Sequence, residues 1–564
     1  MWCRGTVFRY RDGFAGTYDD WNGWSMATRH EQGQDEARQS VPAWRPLRHK
    51  VFRALWIATF FSNIGTWMQE VGGTWLMTTL APAPFMVALM QVATSLPMVL
   101  LALPAGTLAD IVDRRRLLLV TQSGLCITAM CFGIIVWFGA MTPWLLLGLT
   151  GVMSLGLALT SPVGRAITPE LVSRDELPEA ISLENTSVNI ARAVGPSLGG
   201  LLLTAVGAAA LFLLNALSFL GVIAVFYSWS RPPAQTRLPA EHFWGAMQAG
   251  VRYVRHAPES WAVLARAGSF TLCGSALWAL LPLLARQELG QDSTGYGLLL
   301  GYFGVGAVVG TIVLPSLRQR LTSEHLVALA MLLFAAVLVM AAVFRLYAVL
   351  CGVLVAGGLA WLILLSIFNG SIQAALPSWV RGRALAIYVL VFFGGMAGGS
   401  ALWGAVATYT NLSMTFVLAA AGVVVALLAT HRCRLVTSEE WDTTPACHEP
   451  TPDIEGAPKP EAGPVLVTID YHIDPAQAQA FVQAIRRLGR TRRRDGALRW
   501  GIFRDIARPG HYLESFVVES WAGYLQQHER FTVADRDIET QVLAFHRDAT
   551  PPIVSHFIAE RYLA

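Results

Sequence analysis

The chain has 564 residues, of which 54% are hydrophobic and only 14% charged, with a formal net charge of +4. A soluble protein carries about 25% charged residues. This deficit, with a mean hydropathy of +0.47, excludes an ordinary soluble enzyme and indicates a polytopic membrane protein. The small net charge argues against nucleic acid as a partner; the basic residues suit loops facing anionic membrane lipids. Seven cysteines, with no pair at metal-ligand spacing, predict neither a disulfide framework nor a metal site, and no cofactor motif is present. The start of the chain lacks the pattern of a cleavable secretory leader.

In chain order, residues 1–43 are polar and aperiodic and read as a disordered segment. A basic stretch at 44–53 precedes twelve apolar runs, at 54–80, 85–109, 117–138, 144–161, 180–206, 211–229, 263–285, 296–317, 326–344, 348–372, 384–408 and 413–430. Most approach the roughly 20 residues a helix needs to cross a bilayer. The connections on one side hold Arg114, Arg115, Arg116, Arg318, Arg320, Arg381 and Arg383, among others; those on the other side hold only Arg286 and Arg345. This asymmetry predicts that both termini are cytoplasmic.

The halves of this pattern echo one another. Gly106-Thr107 before the arginine cluster recurs as Gly310-Thr311 before Arg318 and Arg320. The stretch 166–172, Ala-Ile-Thr-Pro-Glu-Leu-Val, recurs as 374–380, Ala-Ala-Leu-Pro-Ser-Trp-Val. The expected organisation is a six-helix bundle at 44–230, a central loop at 231–258, a second six-helix bundle at 259–432, a linker at 433–463 and a soluble unit at 464–564. Within the central loop, Phe243, Met247, Val251 and Val254 recur at helical spacing beside Arg252 and Arg255, as in a helix lying flat on the inner membrane face. After the Pro- and Glu-rich linker, Val465, Val467, Ile469 and Tyr471 alternate with other residues as in a strand, and Asp474-Pro475 opens a helix. Strands at 498–505, 512–519 and 553–559 and helices at 521–530 and 534–546 complete a βαββαβ order, which is ferredoxin-like. The fold class is thus an all-α membrane bundle with an appended α+β domain.

The loop from Gly106 to Arg116, Gly-Thr-Leu-Ala-Asp-Ile-Val-Asp-Arg-Arg-Arg, resembles the signature between the second and third helices of the major facilitator superfamily of transporters. Gly106, Leu108, Ala109, Asp110, Arg114, Arg115 and Arg116 match it, whereas Ile111 and Asp113 replace the usual Arg and Gly. In that family the Asp and the Arg help latch the two halves on the cytoplasmic side, and the halves are related by an axis along the membrane normal. Ser62–Gln69, Pro169–Val172, Asn189–Arg192 and Arg381–Ala384 are similar to the branch containing enterobactin exporters and labelled transmembrane secretion effector. Gly195-Pro196-Ser197-Leu198-Gly199-Gly200 resembles part of the antiporter signature of drug-efflux members. There Pro196 would bend the helix, and Gly195, Gly199 and Gly200 would admit close helix approach. The 464–564 unit resembles the dimeric α/β barrels of small monooxygenases, which implies a possible homodimer through this domain.

Two ionisable residues stand deep in the apolar runs, Glu70 in the first and Arg192 in the fifth. Charges at such depth are costly and usually face a cavity or a partner. A carboxylate that changes partner as a cavity opens can take up and release a proton, so Glu70 and Arg192 are the expected transport and coupling pair, with protons as the coupling ion. Asn63, Gln69, Gln91, Asn189 and Asn369 are the cavity candidates, accompanied by Trp67, Trp75, Trp278, Trp361 and Trp403. Aromatic surface with few fixed charges suits a small amphipathic organic substrate. No Walker A pattern is present, which argues against an ATP-driven pump within this sequence.

The leading expectation is a proton-coupled exporter of siderophore-like or drug-like molecules in a bacterial inner membrane, working by alternating access. A proton-coupled nutrient importer is the second expectation. A transporter fused to a small enzyme is the third, with His511, His528 and Trp521 as conceivable pocket residues. Arg486, Arg487, Arg490, Arg492, Arg493 and Arg494 form an expected basic face toward lipid or solvent.

Overall fold

A computed structural model describes residues 44–102, 104, 112–229, 243–377, 379–431, 433, 458–459, 461–548 and 550–560. The expectations for residues 1–43, for Gly106 and Asp110, and for most of the linker fall outside these described residues.

The first half comprises α1 (Lys50–Leu80), α2 (Pro84–Leu101), α3 (Arg114–Trp137), α4 (Pro143–Leu171) and α5 (Leu177–Ser228). Proline stands in the first turn of α2, α4 and α5, where its missing donor removes nothing. Asp113 caps α3, its carboxylate accepting from the Arg116 backbone N–H at 2.9 Å. The 52-residue α5 is two arms joined at Gly207, whose φ of 82° is open to glycine and strained for other residues. The break therefore lies at Gly207, where the apolar runs were expected to part, and the helix continues through Pro196. α4 also runs on beyond 161, through Pro162 and Pro169, so the first copy of the repeated stretch is largely helical rather than a loop.

The second half follows α6 (Phe243–His256) and comprises α7 (Pro258–Leu283), α8 (Ser293–Arg318), α9 (Ser323–Val343), α10 (Tyr347–Ala374), α11 (Arg381–Tyr409) and α12 (Leu412–Thr430). Ten of the described helices are long and apolar enough to cross a membrane. α1 is not among them, since it carries Asn63, Gln69 and Glu70, and α5 counts once although Gly207 divides it.

Two helix pairs carry most of the contact between the halves, α5 on α8 and α2 on α11, and α2 also touches α7. Lipid tails are as apolar as leucine, so helices gain little from mutual burial in a membrane and associate through close packing. Here small residues allow it. Gly200 lies against the Ser293 carbonyl and Gly297, and Gly297 lies against the Pro196 carbonyl, with no room for a side chain at either position. Gly304 abuts Ala193, and Gly404 of α11 abuts Ala88 of α2.

At the C-terminal end, β1 (Val465–His472), α13 (Ala478–Asp495), β2 (Arg499–Arg504), β3 (His511–Val518), α14 (Trp521–Glu529), α15 (Val533–Leu543) and β4 (Ile553–Ile558) follow the expected order. The four strands run antiparallel in the order β2-β3-β1-β4. Val465, Val467, Ile469 and Tyr471 face the helices and pack with Phe481, Ile485 and Leu488. Leu466, Phe503, Leu513 and Phe557 are exposed, and the strand register places them on the other face.

The expected basic face of α13 needs correction. Arg486, Arg487, Arg490 and Arg493 are exposed, but Arg494 is buried and Arg492 is turned inward. Arg492 meets Glu539 at 3.1 Å, and Arg494 grips Asp495 through two bonds of 2.9 and 3.0 Å and Asp535 at 2.6 Å. The two lie about 200° apart around the helix and are buried by different neighbours, Arg492 against Phe516 and Glu539 and Arg494 against Tyr253 and Asp535, where carboxylates make the burial tolerable.

The expected pocket of His511, His528 and Trp521 does not form from the first and last. His511 stacks on His472 at 4.4 Å on the open sheet face, while Trp521 packs on Tyr524 and His556 on the helical face. The side chain of His528 is outside the described residues.

Burial pushes the Asp495 carboxyl up to about 6, against the opposing pull of Arg494. A folded value above the unfolded one means the group adds stability that is present below about pH 4 and lost as pH rises through about 6. Hydrogen exchange on the full chain, corrected for intrinsic rates, should show α13 less protected at pH 7 than at pH 5. Asp495→Asn should flatten that dependence.

Candidate functional site

Between the halves lies a cavity of about 430 Å³, counting the part open to solvent. α1 contributes Trp67, Glu70, Val71 and Thr74, and α2 contributes Val87, Met90, Gln91 and Thr94. The second half closes it with Trp278 of α7 and Tyr296 and Leu300 of α8. Both halves therefore supply walls, and a relative movement of the halves changes the cavity's shape.

One end of the cavity is sealed. Trp75 stacks on Tyr296 at 5.8 Å, and the Arg286 guanidinium lies 5.8 Å from the Trp75 ring centre. Arg286 also donates to Thr78 at 3.0 Å, and Thr204 bonds Ser293 at 2.7 Å and Thr294 at 2.8 Å. These contacts lie on the face opposite Arg114, Arg115 and Arg116. Among the described residues, the close small-residue contacts between the halves run from that seal only to mid-depth, at Ala193–Gly304. Toward the arginine face, Asn185, Asn369 and Gln373 remain exposed. Among the described residues, the cleft is thus closed on one side and open on the side of the arginine loop.

Glu70 lies in the cavity wall. Arg192 of α5 stands behind Trp67, its guanidinium 5.7 Å from the ring centre. The two charges attract one another, yet no ion pair within 4 Å joins them among the described residues. The expected pair is therefore near enough to attract, with Arg192 resting on the Trp67 ring and no direct ion pair made among the described residues.

Of the five polar cavity candidates, Gln91 alone is in the cavity lining, where its side-chain amide donates to Thr94 at 3.2 Å and Ser95 at 3.1 Å. Gln69 is turned away. A helix rotates about 100° per residue, so with Glu70 facing the cavity its neighbour faces the second arm of α5, where it accepts from the Asn215 amide at 2.5 Å. Asn63 and Asn189 do not line the cavity, and Asn369 is exposed and accepts from Gln373 at 3.2 Å. Tyr296, Thr74 and Thr94 line the cavity unannounced by sequence. Tyr296 opens an apolar run, and nothing local tells a packing tyrosine from a lining one.

The helix-bend motif serves two contacts at once. Gly195 and Gly199, four residues apart, lie against Trp67 and Met68 of α1, while Gly200 faces α8. Its glycines pack α5 tightly between the halves and hold Arg192 beside Trp67. In the arginine loop, Arg114 pairs with Glu170 at 2.9 Å, and Arg115 donates to the Phe226 and Tyr227 carbonyls at 2.9 and 2.7 Å. These partners all belong to the first half. Arg115 thereby satisfies carbonyls left unpaired at the end of α5.

A family model described as transmembrane secretion effector matches residues 41–562. The chain belongs to the transmembrane secretion effector family. It is accordingly an integral membrane protein and a secondary transporter of the major facilitator type. The staphyloferrin A transporter of Staphylococcus aureus is 24% identical over 282 residues, covering 49% of this chain and 70% of that protein. An enterobactin exporter, EntS, of Shigella boydii is 26% identical over 267 residues, covering 47% of this chain and 63% of its own length. Among solved structures, a bacterial homologue of the human lysosomal transporter Spinster, inward-facing and unoccupied, gives a TM-score of 0.55 at 14% identity. That match covers 72% of this chain and all of the other. The nucleoside transporter NupG gives a TM-score of 0.53 at 12% identity, covering 68% of this chain and 99% of its own. At such identities the structural likeness shows the fold alone.

The two neighbouring polar residues of α1 and α2 separate experimentally. Gln69→Leu leaves the buried Asn215 amide without its acceptor and should destabilise the protein by about 1–3 kcal/mol, read as a lower melting temperature in detergent. Gln91→Leu, in the cavity wall, should leave the melting temperature nearly unchanged and alter substrate affinity.

Proposed function

We propose that this transporter exports an amphipathic, siderophore-like or drug-like molecule by alternating access, exchanging it for protons. The supporting observation is a cavity walled by both halves, in which one carboxylate, Glu70, stands among Trp67, Trp278 and Tyr296. Aromatic walls suit the apolar body of such a molecule. The Trp278 indole N–H is buried without an acceptor among the described residues, so a substrate oxygen can accept from it. The relatives named as a staphyloferrin A transporter and an enterobactin exporter support a siderophore-like cargo, the second also supports export, and both support a bacterial inner membrane as the setting.

In this reading the twelve spans comprise α1, both arms of α5 and the remaining long helices, with both termini and the sheet domain in the cytoplasm. The open side of the cleft is then the cytoplasmic one, through which substrate and membrane lipid have access. The exposed sheet face suits pairing with a second copy. Labelling with a membrane-impermeant thiol reagent tests the orientation: a cysteine placed at Arg116 should stay unlabelled in intact cells, and one placed at Arg345 should be labelled.

Coupling rests on Glu70 and Arg192. Placing a charge at a helix centre costs about 2.5–3.5 kcal/mol on insertion scales, so stability alone does not account for either residue. Without a direct ion pair to Arg192 among the described residues, Glu70 can accept a proton from the open side and surrender it when closure brings Arg192 nearer. Removing one charge strands the other at about 3–5 kcal/mol, so the informative variant is the double one, Glu70→Gln with Arg192→Gln. It should insert, melt near the wild-type temperature and lose proton-driven transport in inverted vesicles. Gradient-driven accumulation by the double variant, abolished by an uncoupler, would exclude the pair as the coupling element.

A further inference from the structure

The first copy of the repeated stretch ends α4 just before the α4–α5 turn, and the second copy joins α10 to α11. Each turn is held by the segment preceding the first helix of its own half, and in the first half by the start of α1 as well. In the first half, Arg45 and His49 both reach Glu176, at 2.7 Å each, and the Trp56 indole donates to the Leu183 carbonyl at 3.1 Å. In the second half the corresponding segment is α6. Its Tyr253 is 1% exposed and donates from its hydroxyl to the Ala375 carbonyl at 3.2 Å. Its ring meets Trp379 edge to face at 5.7 Å. Gly250 lies so close to Arg383 that a side chain there would press on it, which ties α6 to the start of α11 as well.

Only the second turn carries anything further among the described residues. α13 packs on α6, and two arginines of the sheet domain cover the aromatic pair. Arg494 stands 5.2 Å from the centre of the Tyr253 ring, and Arg530 stands 4.3 Å from that of Trp379. Neither guanidinium is loose. Arg494 is fixed by Asp495 and Asp535, and Arg530 donates to the Asp495 carbonyl at 3.1 Å and to Gln526 at 3.0 Å. The result is a layered contact in which two pre-oriented cations cover two rings belonging to the transporter. Cation–π contacts strengthen as they are desolvated, and a pre-fixed guanidinium loses little freedom on docking.

We infer that the sheet domain is a clamp on the second half: docked through Arg494 on Tyr253 and Arg530 on Trp379, it braces the α10–α11 turn and favours the state open on the arginine face. The geometry gives the clamp its effect. α11 runs from this turn to Gly404, where it meets α2 of the other half, and α10 carries the exposed Asn369 and Gln373 beside the cleft. Closing the arginine face requires the α10–α11 turn to approach the α4–α5 turn. A domain anchored to one of these turns and not the other, among the described contacts, biases that approach. The inference rests on the alternating-access reading for its significance, while docking and opening are measurable without any substrate.

The test uses the full chain in lipid nanodiscs. Trp379→Leu removes one ring, and Trp379→Leu with Tyr253→Leu removes both; neither alters the sheet domain's own core. Hydrogen exchange reports docking at α6 and at the end of α13, with strands β1 and β3 as the control for an intact domain. Pulsed EPR between nitroxides at Arg116→Cys and Arg320→Cys, with native cysteines replaced, reports opening of the arginine face. The double variant is expected to lose protection at α6 and the end of α13, to keep it in β1 and β3, and to raise the closed fraction by about threefold or more. Trp379→Phe should retain most of the docking and of the wild-type distances. Undocking with an unchanged distance distribution would overturn the clamp, because the domain would then be a passenger. Docking that persists in the double variant would overturn it equally, because the two stacks would not be the attachment.

Discussion

Two halves of a membrane transporter have to touch firmly on one side of the bilayer and part on the other, without the hydrophobic effect to press them together. In this protein the requirement is met by backbone approach along α5 and α8. Gly200, Gly297 and Gly304, with Ala193, let the two helices come close enough that a single added methyl group at either Gly200 or Gly297 would push them apart. The hydroxyls of Thr204 and Ser293 and the Arg286–Trp75–Tyr296 stack extend the contact to the face opposite the arginine loop. The rest of the arrangement follows from where this seam ends. Past mid-depth these close contacts stop, and the cavity lies beside the seam, between the seal and mid-depth, where Thr74, Val87, Tyr296 and Leu300 line it.

The same seam positions the charges. Gly195 and Gly199 draw α5 onto α1, so that Arg192 rests on the Trp67 indole while Glu70 faces the cavity one turn along. A direct ion pair would be strong in a low-dielectric site and slow to exchange. Among the described residues that direct pair is not made, and Arg192 rests on the Trp67 ring while Glu70 lines the cavity. Gln69 and Asn215, adjacent in space but on the other face of α1, anchor the helix that carries Glu70. The polar residues of α1 thus divide between holding the helix and lining the path.

The C-terminal domain solves a different problem, the burial of charge in a soluble core. Glu514, Glu539, Asp495 and Asp535 are matched by Arg492 and Arg494, with Tyr471 and Trp500 donating to Glu514 at 3.1 and 2.8 Å. Removing one member strands its partner, so the network is costly to break and holds the end of α13 rigid. That rigidity is what presents Arg494 and Arg530 to the rings of α6 and the α10–α11 turn.

Composition, the apolar runs and the arginine asymmetry sufficed to define a membrane bundle with an appended α+β domain, because hydropathy and strand alternation are local properties. The break at Gly207 and the βαββαβ order were legible for the same reason. Glu70 and Arg192 stood out because charge is exceptional within apolar helices, and the glycine motif because its glycines cluster about Pro196. Which polar residue faces the cavity was not legible: Gln69 and Gln91 look alike in sequence, and only the packing of α1 against α5 turns one inward and leaves the other in the wall. Arg492 and Arg494 looked like members of a solvated basic run until the position of α15 buried them. The contact of the sheet domain with Tyr253 and Trp379 joins residues more than a hundred positions apart, a relation that tertiary structure alone decides, because nothing in either local stretch specifies what will be brought against it.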